Sequence, residues 1–314
     1  MALSSQLLES IKEKKARLDR LRPFPAAALK RLHEQIVVEW TFNSNAIEGN
    51  TLTLEETALV LKEGLTISGK PLREHLEVIN HKDAILELEK LVTRKSDLTE
   101  EGIRALHKII LKGIDDAEAG LYRRQRVRIL GARHIPPDPV KVPAQMNECV
   151  AWYHQNQDRL HPVELAALLH HKLVLIHPFI DGNGRCARLA MNLILMRHGY
   201  PPAVILRVDR KKYYRVLQEA DQGEFGSYLN FVARATERSL IVYLQALASS
   251  DSKEYEKQGY ISLAEAAKKS PYSQEYLSLL ARRGVLSAVK FGRNWMTTHD
   301  AVQEHVDRVK SQKK

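Results

Sequence analysis

The segment His177–Arg188, HPFIDGNGRCAR, decides how the rest of the chain is read. The residues before it, HPVELAALLHHKLVLI, open with Pro162 at a first-turn position and are apolar on most sides, as in a buried helix that Pro178 ends. His177 therefore falls where a core helix gives way to a loop. That position holds an imidazole rigidly yet leaves it accessible, and its ordinary pKa of about 6.5 keeps much of it neutral and able to act as a base. Gly182 and Gly184 then permit a tight turn, and an amphipathic run from Arg185 to Arg197 follows, closed by Gly199 and Pro201.

A glycine-rich turn opening a helix gathers unpaired backbone N–H groups at a positive dipole end, which is an anion cradle. Arg185 and Arg188 share a helical face and aim two guanidinium forks at whatever the turn holds. Asp181 beside them suits a shared Mg2+, because a carboxylate next to a polyphosphate commonly completes such a site. An EF-hand starting at Asp181 is excluded, since Cys186 occupies the loop's glycine position and Asn192 its final glutamate position. Zinc at His170, His171 and His177 is disfavoured by the spacing and by the lack of an acidic or thiol partner.

This segment resembles the signature of the Fic family, HPFx[DE]GNGRxxR, at every specified position. The stretch GLYRRQRVRILGARHIPPDPVKVP resembles that family's flap. The resemblance spans roughly residues 10 to 248 and implies a mainly α protein, a Fic-fold helical core with a β-hairpin flap. It implies transfer of AMP from ATP to a hydroxyl side chain of a target protein or of the enzyme itself, with release of pyrophosphate. His177 would deprotonate the hydroxyl and Asp181 would hold Mg2+. Gly182, Asn183 and Gly184 would line the anion hole, and Arg185 and Arg188 would bind the phosphates. The flap, residues 122–135, would align the target protein by strand addition. VDRKKYYRVLQEAD resembles the stretch that closes over adenosine, with Tyr213 and Tyr214 at its tyrosine positions. Asp221 stands where some relatives carry asparagine, able to accept from an adenine amino group but not to donate to it.

Thr41–Thr53, TFNSNAIEGNTLT, adds a restraint. Gly49 is a natural helix cap, and Thr53 with Glu56 forms a capping box, so a helix should end near Glu48. Glu48 then lies at the negative end of its own helix, a cost of about 0.3–1 kcal/mol that calls for a cationic partner. Ser44 shares its face. SNAIEGN resembles the family's inhibitory pattern [ST]xxxE[GN], in the class with an N-terminal inhibitory helix. There the glutamate pairs with the second signature arginine, Arg188 here, and obstructs the γ-phosphate. In some relatives the same glutamate also serves removal of AMP.

Length, charge and cysteine usage complete the picture. The 314 residues suffice for a large core and an accessory module. The expected division is 1–95, an N-terminal helical region with the inhibitory motif; 96–248, the catalytic core; 249–259, a linker; and 260–314, a winged helix-turn-helix-like module. With 48 Lys+Arg against 38 Asp+Glu the net charge is +10, which attracts polyanions. Two cysteines exclude a disulfide framework and favour a reducing, cytoplasmic setting, and no apolar run long enough for a membrane span occurs. The last segment reads helix, turn, helix and hairpin. Ser273, Gln274 and Tyr276 would begin its second helix, and Arg282, Arg283, Lys290 and Arg293 would face phosphates. DNA and a protein are both candidate partners for it, and because relatives in the family often self-associate a homodimer is a candidate assembly. A DNA-binding regulator that uses the core as a nucleotide sensor is the alternative function.

Overall fold

The computed structural model describes residues 3–24, 26–129, 134–247, 259–291 and 294–311. The elements before residue 248 are helical: α1 (Ser5–Arg20), α2 (Ala26–Glu48), α3 (Leu54–Glu63), α4 (Leu72–Thr93), α5 (Glu100–Leu111), α6 (Val142–Asn156), α7 (Pro162–Ile176), α8 (Asn183–Arg197), α9 (Arg210–Asp221) and α10 (Phe225–Leu247). The C-terminal part contains β1 (Tyr260–Ser262), α11 (Leu263–Lys268), α12 (Gln274–Arg282), β2 (Ala288–Phe291), β3 (Asn294–Thr298) and α13 (His299–Ser311). Among the described residues, no helix is long and apolar enough to cross a membrane.

The centre of the molecule is α8. From Arg185 to Leu195 every side chain is buried, against α7, α4, α5 and α2. The amphipathic helix expected from the sequence is therefore enclosed on all sides. The reason lies in its small and apolar residues, Cys186, Ala187, Leu189, Ala190, Met191 and Leu193, which let four helices approach at once. Each large side chain buried in this way contributes roughly 1.5–3 kcal/mol.

Local signals set the helix boundaries. α2 stops at Glu48, after which Gly49 has φ +110°. The capping box at α3 is complete: Thr53 Oγ1 accepts from Glu56 N at 3.1 Å and Thr53 N donates to Glu56 Oε2 at 2.7 Å. The flap differs from expectation. Residues 121–129 and 134–138 contain no strand ladder, residues 130–133 lie outside the described residues, and the described strands all belong to the C-terminal sheet of order β1-β3-β2. A lone two-stranded ribbon is marginal in water. Side chains tie the two arms instead, including Arg126 to Asp138 at 2.9 Å.

The C-terminal module has its own core of Ile261, Leu263, Ala266, Leu277, Leu280, Ala281, Leu286 and Val302. It docks along α2. Val289 joins Leu32, Ile36 and Val242, and Gly284 sits against the buried ring of Phe42. Arg282, one of the four cations expected to face phosphates, lies 3.6 Å from Glu55 of α3. Of the others, Arg283 is exposed, Arg293 lies outside the described residues and so does the side chain of Lys290. The expected linker, Gly259 excepted, also falls outside them.

A Cβ at Gly284 would lie 2.7 Å from Phe42 Cε1, at a φ of +63° that side chains rarely adopt. Gly284→Val should therefore loosen the module and lower stability by about 1–3 kcal/mol. Thermal unfolding with hydrogen exchange across 32–43 checks this, and unchanged values would contradict the docking.

Candidate active site

His177 is the C-cap of α7, in the left-handed conformation at φ +49°, ψ 60°, and its N–H donates to Leu173 O at 3.0 Å. Nδ1 lies 3.4 Å from Val174 O, so the tautomer that donates there leaves Nε2 as the free acceptor. Burial lowers the imidazole pKa to about 4 despite the Val174 contact; the Arg123 cation lowers it further and the Glu48 charge opposes. The ring is neutral at physiological pH.

The loop beyond it is braced from within. Asn183 Oδ1 accepts from Phe179 N at 2.9 Å while Nδ2 donates to Phe179 O at 2.8 Å. The Asn183 side chain thus closes the turn, leaving its backbone N–H for a ligand. Phe179 is buried and stacks on His107 of α5, with ring centroids 3.6 Å apart and planes at 4°. Gly120 N donates to His107 Nδ1 at 3.0 Å, which fixes the proton on Nε2, and Nε2 donates to Asp181 O at 2.9 Å. One ring therefore links the base of the flap to the turn. Burial lowers the His107 pKa to about 4. Sequence reading passed over His107 because it occupies an unremarkable inward position of an amphipathic helix.

Gly182 caps α8 at φ +74°, where a Cβ would press within 3.4 Å of His107 and Ile110. Gly184 is tighter. A Cβ there would lie 2.2 Å from Glu48 Oε1 and 3.0 Å from Arg188 Nη1. The carboxylate of Glu48 thus stands over the first turn of α8, where the helix end attracts anions. Glu48 Oε1 is 2.7 Å from Arg188 Nη2. Arg188 Nε donates to Ser44 Oγ at 3.0 Å, and Nη2 also donates to Ser44 O at 2.8 Å. Burial lowers the Arg188 pKa, but Glu48, joined by Tyr213 and Tyr214, opposes it and the net shift is upward. The partner that Glu48 requires at its helix end is the second signature arginine.

Arg185 is 2% exposed. Its Nη1 lies 3.7 Å from Glu77 Oε1 and its Nη2 3.5 Å from Asp181 Oδ1. Among the described residues, Arg185 Nε and Nη1 and Arg188 Nη1 are buried and find no hydrogen-bond partner. Leaving such donors unpaired is costly, so they mark a place suited to an anion. Asp181 faces outward and pairs with Arg73 Nη2 at 2.5 Å. It is the one solvent-facing signature carboxylate beside the turn, a donor set that suits Mg2+ when phosphate oxygens and water supply the remaining ligands.

The adenosine-side residues divide. Tyr214 is partly buried, its hydroxyl 3.4 Å from Ile47 O, with Arg210 over its ring. Tyr213 lies instead in the core at 1% exposure. Its hydroxyl meets His170 Nε2 at 2.9 Å, and His170 Nδ1 meets the Tyr228 hydroxyl at 2.7 Å. Tyr213 is thus held by packing and by the chain of polar groups behind it. Asp221 Oδ1 pairs with His171 Nε2 at 3.0 Å at the end of α9.

The site thus combines a neutral imidazole at a helix end, a glycine turn with buried unpaired guanidinium donors, and a carboxylate over them. Residues 97–195 match the Fic/DOC family. A Fic domain containing signaling protein from Bacteroides thetaiotaomicron VPI-5482 superposes with a TM-score of 0.73 at 33% identity, covering 77% of this chain and 99% of that one. The chain belongs to the Fic/DOC family. It is similar to the protein adenylyltransferase Fic of Nematostella vectensis, 40% identical over 246 residues, 77% of this chain and 56% of that protein. The chain spans about half the length of the curated relatives it matches. A Fic family protein from Desulfovibrio desulfuricans G20 shares the fold over 95% of this chain and 97% of its own, with a TM-score of 0.61 at 22% identity.

Both His107 and His177 have folded-state pKa values near 4, below the ordinary 6.5. Between those values the unfolded chain binds more protons than the folded one, so these groups lower stability as pH falls from about 6.5 toward 4 and have no effect above that window. Urea midpoints at pH 7 and pH 5 should differ in that direction, and His107→Gln should reduce the difference. Equal midpoints in the parent would contradict the burial of neutral rings.

Proposed function

We propose that the chain is a self-restrained protein adenylyltransferase, acting on a hydroxyl side chain of a target protein or on itself. The observation that carries this reading is the set of buried, unpaired donors on Arg185 and Arg188 opposite a neutral His177, with Glu48 standing where phosphate would. The name of the Nematostella vectensis relative supports it. ATP would lay its phosphates along the first turn of α8, with the backbone N–H groups of Asn183 and Gly184 and the two guanidinium groups neutralising their charge. Asp181 would hold Mg2+, exchanging its bond to Arg73 for the metal; when bound, the metal neutralises phosphate charge and orients the pyrophosphate for departure.

His177 Nε2 takes the proton of the attacking hydroxyl as that oxygen bonds to the α-phosphorus. The bond to the bridging oxygen of pyrophosphate breaks, and the electron pair leaves with pyrophosphate. The negative phosphates oppose the burial that holds the imidazole near 4, moving the base toward the working range. Tyr214, with Arg210 over its ring, offers the nearer flank for adenosine, and Asp221 a carboxylate acceptor. The flap arms, free of a ladder with each other, offer backbone groups to an extended target segment.

Glu48 restrains the reaction through charge and space. Its carboxylate occupies a fork of Arg188 and repels the terminal phosphate. The same carboxylate, once displaced from Arg188, is suited to activate water for removal of AMP. The alternative, a regulator whose core only senses nucleotide, is disfavoured by a complete set of base, carboxylate and guanidinium groups.

With labelled ATP and Mg2+, Glu48→Gly should raise self-modification by about ten- to a hundredfold, the scale of removing a charge that competes for a buried arginine. Adding His177→Ala should cut the rate by about 10²–10⁴-fold. Intact mass measurement reads both, through addition of one AMP per site. Unchanged labelling in Glu48→Gly would overturn the restraint, and full labelling in the double variant would overturn the role of the base.

A further inference from the structure

Four arginines lie between residues 123 and 128, and the sequence gives no reason to separate them. Three are exposed; Arg123 is 2% exposed. Among the described residues no carboxylate forms an ion pair with its guanidinium. The group is instead shared among backbone carbonyls. Nε donates to His177 O at 2.8 Å, Nη1 to Gln125 O at 3.1 Å, and Nη2 to Pro137 O at 2.6 Å and to Ile176 O at 3.5 Å. The backbone N–H of Arg123 donates to Pro178 O at 2.9 Å.

These partners come from three places that the chemistry must hold together. Ile176 O and His177 O close α7, where Pro178 prevents further helical bonding and the dipole is negative, so a cation is stabilised there without a carboxylate. Gln125 O belongs to the outgoing flap arm and Pro137 O to the returning one. His177 itself sits at φ +49°, which costs a residue with a side chain about 1–3 kcal/mol and persists only where its surroundings impose it. Arg123 binds the carbonyl of that strained residue and, through the same planar fork, both arms of the flap.

We infer that Arg123 is a positioning residue of the transfer step, setting the distance between the flap and the His177 imidazole so that a hydroxyl presented along the flap meets Nε2. The inference rests on the adenylyltransferase reading above. A lysine cannot replace it, because one ammonium on a flexible stem cannot span four carbonyls in the directions a guanidinium does. Among the described residues the hydrogen bonds of Arg123 go to Gln125, Pro137, Ile176, His177 and Pro178 and none to the first turn of α8, so it should govern the rate of transfer and leave the grip on nucleotide alone.

The test uses the full chain carrying Glu48→Gly, with and without Arg123→Lys or Arg123→Met. At saturating ATP and Mg2+ the labelling rate should fall about a hundredfold in both Arg123 variants, the scale of a displacement of about 1 Å between reacting groups. The ATP dissociation constant from calorimetry should change less than about threefold, a tenfold change corresponding to about 1.4 kcal/mol. Hydrogen exchange across 121–129 and 134–138 should quicken. Labelling equal to the parent overturns the inference, as does a loss of ATP affinity parallel to the loss of rate, which would mark general collapse of the loop. If the Glu48→Gly parent itself transfers no AMP, the adenylyltransferase reading fails. Flap exchange then decides the positioning role separately: faster exchange in Arg123→Lys supports it and unchanged exchange removes it.

Discussion

The buried guanidinium of Arg188 is paired with the carboxylate of Glu48, and the arrangement of the site follows from that pair. Arg188 lies inside the central helix, enclosed on all sides and 2% exposed. Its countercharge is the carboxylate that α2 delivers from its last residue, Glu48. Burial of an unpaired charge costs several kcal/mol, so the pair also holds α2 against the core. On the proposed reading a triphosphate at the same turn would offer the same guanidinium a different anion, so that restraint and reaction would exclude each other by occupancy.

Three further residues shape the site around that pair. Glycine at position 184 lets the Glu48 carboxylate approach α8 to a distance that any side chain would forbid. The ring of His107, fixed in one tautomer by Gly120 and donating to Asp181 O, ties the turn to the start of the flap. Arg123 does the same from the other side, through the carbonyls that end α7. The loop that carries the chemistry is therefore held by neighbours on α5 and the flap, which is how a glycine-containing turn keeps a defined shape.

Where a local signal sufficed, the sequence was readable. Pro162 and Pro178 bound α7, Thr53 and Glu56 start α3, and the lone acidic residue at the end of α2 pointed to a cation that proved to be Arg188. Residues whose roles depend on distant partners were silent. His107 and Arg123 act across 74 and 54 positions of chain, and nothing in an amphipathic pattern or a run of arginines reports such a meeting. The buried setting of Tyr213 was silent for a related reason: a tyrosine beside a binding stretch and a tyrosine in a core have the same spacing, and the chain through His170 and Tyr228 is not written in it. The absence of a ladder across the described flap residues was not legible either, because a sequence shows which residues are extended, not which strand they pair with.

The central claim is that Glu48 and the terminal phosphate are alternative partners of Arg188. The most direct measurement is the position of the γ-phosphate in a crystal of the Glu48→Gly protein grown with Mg2+ and a non-hydrolysable ATP analogue. The expected result is a γ-phosphate oxygen within hydrogen-bonding distance of Arg188, with the α-phosphate facing His177 Nε2. A nucleotide lodged away from the first turn of α8, with Arg188 bound to solvent or to another side chain, would contradict the account.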